Sequence, residues 1–142
     1  KGISTMKKIL VAMDGSDAAM HAARLALELA EKSNGAVTLV HVVPFVVMPT
    51  DIPLDTGQLT ADAQAAGEKL LVDAARALGR PDLARVCLKG SAGDAVSELA
   101  ERDDFDLVVV GSKGHNAVTR VLIGSVSDRV VHVCKKPVLV VR

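Results

Sequence analysis

The 142-residue chain has no tryptophan, no tyrosine and only two phenylalanines. Aromatic platforms that stack the bases of single-stranded nucleic acid need such rings, so that class of function is excluded. Net charge is missing too: 17 basic residues meet 17 acidic ones. Without a positive excess there is no broad footprint for a phosphate backbone, which argues against DNA or RNA as partner. Cysteine is limited to Cys87 and Cys134, far apart and each in an apolar setting. Two such residues make no disulfide framework, and both read as buried thiols in a reducing compartment. No apolar run reaches the ~18 residues of a membrane span. No basic segment leading into an apolar stretch opens the chain as a secretory signal would. The expectation is a cytoplasmic protein with no membrane partner. Residues 1–6 are expected to be a tail, and residues 7–142 one domain. Apolar residues make up 49% of the chain, so the core has to come from Val, Leu, Ile and Ala.

What is present is an alternation. Short apolar runs suited to strands buried on both faces occur at 8–13, 36–43, 84–89, 105–110 and 137–141. Between the first two, Met20, Ala23, Leu27 and Ala30 recur at helical spacing over 18–33. Ser16 or Asp17 suits the cap of that helix, and Asn34-Gly35 its end. A second helix is predicted over 59–78, its apolar stripe marked by Leu59, Ala63, Ala66, Leu70 and Ala77. A third opens at Gly90–Asp94, and a fourth runs to about Cys134. Ser91 with Asp94, and Ser125 with Asp128, have capping-box spacing. Residues 44–58 hold Pro44, Pro49, Pro53 and Gly57 with no period, and read as a loop of functional length. Strand–helix alternation predicts an α/β fold: a mostly parallel sheet, helices on both faces, right-handed crossovers. Ligands of such sheets sit at the carboxyl ends of the strands, where strand order reverses.

The densest signal follows the fourth strand. Val110-Gly111-Ser112-Lys113-Gly114 leads to Gly124-Ser125-Val126-Ser127, a Gly-x2-Gly-x9-Gly-Ser pattern. Glycine leaves backbone N–H groups uncovered and allows close approach. Between Ser112 and Lys136, Lys113, Arg120, Arg129, Lys135 and Lys136 face one acid, Asp128. Bare amides, a helix start and local positive charge together suit a phosphate group. The plainer alternative is that the glycines turn the chain and Ser125 caps its own helix. Both roles can share one place, because a phosphate can replace a side-chain cap. Neither a Walker A loop nor a Gly-x-Gly-x-x-Gly fingerprint is present. Asp14, closing the first strand, can accept ribose hydroxyls, help hold a divalent cation or form a turn with Ser16. Asp17 suits the dipole of the first helix. His41 reads as a satisfied core histidine, and His21 as solvent-facing. His115 lies near the proposed phosphates. His132 and Cys134 are placed on a helix two residues apart, a poor metal pair. No zinc spacing and no nucleophile–base set stand out, so no catalytic or metal residue is assigned.

These residues resemble the universal stress protein family, specifically its ATP-binding subset. The resemblance runs from Lys7 to Arg142. It rests on Ile9–Ser16, Leu39–Val42, Gly111-x2-Gly114-x9-Gly124-Ser125 and Pro137–Val141. Ala12 stands where some members carry proline. The resemblance implies a Rossmann-like, adenine nucleotide alpha hydrolase-like fold: an open five-stranded parallel sheet of order 3-2-1-4-5. It implies ATP as ligand, with Mg²⁺ or Mn²⁺ through the phosphates. Asp14 would meet the ribose or metal region. Ala12 and Val42 would contact adenine, Val42 through its backbone, and Val110 would line the pocket. Gly111, Gly114, Gly124, Ser125, Val126 and Ser127 would hold ribose and phosphates. It further implies a homodimer through the last strand, Pro137 to Val141, and a stress-response regulator acting on an unknown protein partner. The alternatives are a slow metal-dependent ATPase and a nucleotide-independent structural or chaperone-like dimer.

Overall fold

A computed structural model of the chain describes residues 5–45, 56–112 and 124–142, together with the side chains of all these except Thr56. Five strands alternate with four helices: β1 (Lys8–Ala12), α1 (Asp17–Ser33), β2 (Ala36–Val43), α2 (Thr56–Ala77), β3 (Ala84–Lys89), α3 (Ala92–Arg102), β4 (Leu107–Gly111), α4 (Ser125–Val133) and β5 (Val138–Val141). All strand pairs are parallel and the sheet order is β3-β2-β1-β4-β5, the order that the resemblance implies. Order reverses between β1 and β4, which puts their carboxyl ends side by side.

Each strand sends alternate side chains to opposite faces, so two cores form. On one face Ile9, Val11, Leu39 and Val109 pack against α1 and α2. On the other Leu10, Val40, Val108 and Val110 pack against α3 and α4. In α1 the buried face is mostly alanine: Ala19, Ala22, Ala23, Ala26 and Ala30. Met20 and Leu27 lie at its flanks, half-buried. Small side chains let the helix backbone approach the sheet closely. The α1 N-terminus is capped by Ser16, whose Oγ accepts the Ala19 N–H at 3.1 Å. Its C-terminus is closed by Asn34 in the left-handed region, φ 56°.

Three expectations are corrected. The buried stripe of α2 is Gly67, Leu71, Ala74 and Ala75, whereas Leu59, Ala66 and Ala77 are exposed. The helix is turned because Gly67 sits where a Cβ would stand 2.9 Å from both Cys87 Sγ and Val43 Cγ2, leaving room only for glycine. Neither capping box forms. Ser91 makes no side-chain cap, and the Asp94 carboxylate accepts Arg129 Nε at 2.9 Å instead. Gly124, not Ser125, is the cap residue of α4, which places Ser125 on the first helical position. Finally, Cys87 and Cys134 are free but only half-buried. Burial, and secondarily the charge of Glu68, push the Cys87 thiol above its ordinary range. Among the described residues no helix is long and apolar enough to cross a membrane.

Candidate functional site

The carboxyl ends of β1, β2 and β4 surround a cavity of about 100 Å³. Ala12, Val40, Val42, Val96 and Val110 form its apolar interior, all belonging to or packed on the α3/α4-side core. Its rim is polar: Asp14 and Ser16 from the turn after β1, and Gly124 to Ser127 from the start of α4. A complete small-molecule pocket is about 300–1,000 Å³, so this hollow can enclose one apolar part of a ligand and leave the rest on the rim.

The sequence named ten ligand-facing residues. The structure brings nine of them to this cavity: Ala12, Asp14, Val42, Val110, Gly111, Gly124, Ser125, Val126 and Ser127. The tenth, Gly114, lies outside the described residues, as do Lys113, His115 and Arg120. Of the predicted loop 44–58, residues 46–55 also lie outside them.

Local chemistry differs among the nine. Asp14 Oδ1 accepts the Ser16 N–H at 2.9 Å, so the turn reading of Asp14 is realised while the side chain stays exposed. Gly15 takes φ 85°, a value that favours glycine, and so lets the chain fold back into α1. A Cβ on Gly111 would stand 2.8 Å from the Ala18 carbonyl carbon. The glycine there is demanded by α1 packing onto the end of β4, whatever binds. The Ser127 hydroxyl is buried and donates to the Gly111 carbonyl, so its proton ties α4 to β4. Ser112 is pinned on both sides: its N–H donates to Val141 O at 2.7 Å and its carbonyl accepts the Gly124 N–H at 2.6 Å.

The α4 N-terminus has no side-chain cap. Asp128 N–H donates to Gly124 O at 2.8 Å, while the N–H groups of Ser125, Val126 and Ser127 have no acceptor among the described residues. Such donors, with the positive end of the helix dipole, suit an anion. The α3 N-terminus, beside Ala92 on the cavity wall, also lacks a side-chain cap.

Backbone groups at β2 add a second element. Met13 N–H donates to Val40 O at 2.7 Å. The next rung of the ladder would join Val42 N–H to Met13 O, yet that carbonyl meets His41 Nδ1 at 2.7 Å. His41 is thus satisfied, as the sequence suggested, though half-buried at the cavity edge and not sealed in the core. Val42 has no β1-side backbone partner among the described residues.

Of the positive charge expected between Ser112 and Lys136, the described part, Arg129, Lys135 and Lys136, is not free at this site. Arg129 pairs with Asp94, and Lys136 with Asp104. Lys135 and Lys136 precede β5 and therefore lie at the opposite end of the sheet. Lys136 is held above its ordinary pKa by that carboxylate. Lining residues that the sequence reading did not assign to the ligand are Met13, Ser16, Ala19, Val40 and His41, with Ala92 and Val96 of α3. Only the tertiary approach of α3 to β2 reveals the last two.

The sequence profile of the universal stress protein family matches residues 5–142. A universal stress protein of Methanocaldococcus jannaschii is 33% identical over 146 residues, spanning 99% of this chain and 85% of that protein. Among solved structures, universal stress protein UspA from Lactobacillus plantarum superposes with a TM-score of 0.82 at 26% identity, covering 96% of this chain and 98% of the other. A universal stress protein solved in complex with cAMP gives a TM-score of 0.68 at 27% identity, covering 96% and 97%.

Proposed function

This chain belongs to the universal stress protein family, and from that premise we propose that it binds an adenine nucleotide, ATP foremost, as a nucleotide-dependent stress-response regulator. The observation that carries the proposal is the cavity at the β1/β4 reversal, apolar inside and rimmed by the uncapped start of α4. The base enters between Ala12, Val42 and Val110. Val42 offers its backbone edge, and Asp14 offers its exposed carboxylate to a ribose hydroxyl. The N–H groups of Ser125, Val126 and Ser127 receive a phosphate, where a helix N-terminus is already suited to one. Gly124 keeps that approach clear, and Gly114 belongs to the same cradle by its place in the motif. Gly111 and Ser127 serve the site mainly by joining β4, α1 and α4.

Among the described residues no cluster of His, Cys, Asp and Glu could hold a metal ion. Mg²⁺ or Mn²⁺ would therefore bind through the phosphates, with Asp14 the one carboxylate among the lining residues. Such an ion would supply charge neutralisation for a polyphosphate.

The working unit is one domain over residues 7–142, paired with a second copy through β5. That strand has β4 on one side and no described neighbour on the other, and an apolar edge of this kind favours strand pairing.

A smaller nucleotide is the second reading. It is favoured by the neutralising pair that Arg129 makes with Asp94 in the first turn of α3, and by the place of Lys136 at the opposite end of the sheet, paired with Asp104, which leaves neither charge for a triphosphate. Heat-denatured protein analysed by mass spectrometry separates the two. Stoichiometric ATP or ADP supports the first, AMP or a cyclic nucleotide the second. Empty protein whose melting is unmoved by ATP, AMP or cAMP, with and without Mg²⁺, removes both. Ligand at 100-fold over Kd adds about 2.7 kcal/mol of stability, which a melting curve resolves easily.

A further inference from the structure

The ring of His41 occupies a hydrogen bond that ordinarily belongs to the backbone. In a parallel ladder the rung after Met13 N–H to Val40 O runs back from Val42 N–H to Met13 O. Here Met13 O is met by His41 Nδ1 at 2.7 Å. A carbonyl only accepts, so Nδ1 carries the proton and donates. The ring is held in place from behind: a Cβ on Gly67 of α2 would stand 3.0 Å from His41 Cδ2. Val42, next in sequence, lines the cavity and has no β1-side backbone partner among the described residues.

We infer that His41 is a positioning residue, which satisfies Met13 O so that the Val42 N–H stays open to the edge of a bound base. The inference rests on the nucleotide reading for the identity of what Val42 meets. Its physical basis is the cost of leaving a partly buried carbonyl unpaired. If the imidazole is removed, Met13 O recruits the nearest donor, and that donor is the Val42 N–H. The ladder then gains a rung and the base loses its reader. Phosphate-holding groups on α4 are untouched, so the defect falls on base recognition.

The test compares His41→Phe, which keeps a ring without the donor, with His41→Asn, whose amide nitrogen returns a donor near the place of Nδ1. In the nucleotide-free wild type, amide exchange followed by NMR is expected to be at least tenfold faster at Val42 than at Val40. His41→Phe slows Val42 by a similar factor, and His41→Asn leaves it fast. AMP affinity drops tenfold or more in His41→Phe and returns to within threefold of wild type in His41→Asn. Discrimination between AMP and GMP narrows in the Phe variant alone. Equal AMP affinity in wild type and His41→Phe overturns the inference while leaving the nucleotide reading intact. So does equal weakening in both variants, which would mean ring shape and not the donor matters. Should the wild type bind no nucleotide at all, the nucleotide reading fails. Val42 exchange then still decides whether His41 keeps that amide open. If His41→Phe does not fold, ¹⁵N shifts of the wild-type imidazole serve instead: a proton on Nε2 alone refutes the donor role.

Discussion

The two ends of the sheet are built on opposite terms. At the amino end the chain completes its own hydrogen bonding. The Asp106 carboxylate accepts the Lys7 and Lys8 N–H groups, each at 2.9 Å. Ser33 Oγ donates to Met6 O at 2.7 Å, and Ala36 N–H to Lys7 O at 2.8 Å. Asn34 closes α1 with its N–H on Ala30 O. At the carboxyl end α3 and α4 begin without side-chain caps, and Val42 has no β1-side backbone partner among the described residues. Unfinished hydrogen bonding is concentrated where strand order reverses, and a ligand with acceptors and donors can finish it. Stability and binding should therefore separate along the strand axis.

The largest effect is expected where that separation breaks down. Gly111→Val forces a branched side chain into the Ala18 backbone, and should cost about 3 kcal/mol by urea denaturation, with binding lost as a consequence. Gly124→Val is the cleaner probe of the carboxyl end. Its φ of −60° suits any residue, so unliganded stability falls only about 1 kcal/mol through the poorer cap. Nucleotide affinity measured by calorimetry should drop tenfold or more. Asp106→Ala is its counterpart at the amino end: roughly 1–2 kcal/mol of stability lost, affinity within twofold of wild type. If Asp106→Ala weakens binding as much as Gly124→Val does, the two ends are not independent. The smallest effect belongs to Asp94→Asn, which removes an exposed pair with Arg129 worth ~0.5 kcal/mol and screened by salt.

Much of this could be read in the sequence. Strand runs and turn residues placed every element to within a few positions, because buried parallel strands read as unbroken Val/Ile/Leu runs and Asn34-Gly35 or Asp14-Gly15 break them chemically. Strand order came from the family resemblance, since no local pattern encodes it. The α2 face was misjudged because an alanine-rich helix offers little contrast between stripes. What decides its rotation is Gly67 meeting Cys87 and Val43, both distant in sequence. Capping boxes at Ser91 and Ser125 failed for a similar reason: Asp94 finds Arg129 35 positions on. Among the described cations, Arg129 and the pair Lys135 and Lys136 separate because α4 carries the chain from one end of the sheet to the other. Ser127 looked like a ligand contact, and only the fold shows its proton spent on Gly111.

One small feature reaches further than the site itself. Ser112 O accepts the Gly124 N–H at 2.6 Å, while Ser112 N–H donates to Val141 O at 2.7 Å. A single residue therefore joins the edge strand β5 to the start of α4, and whatever strains that edge is transmitted to the mouth of the site.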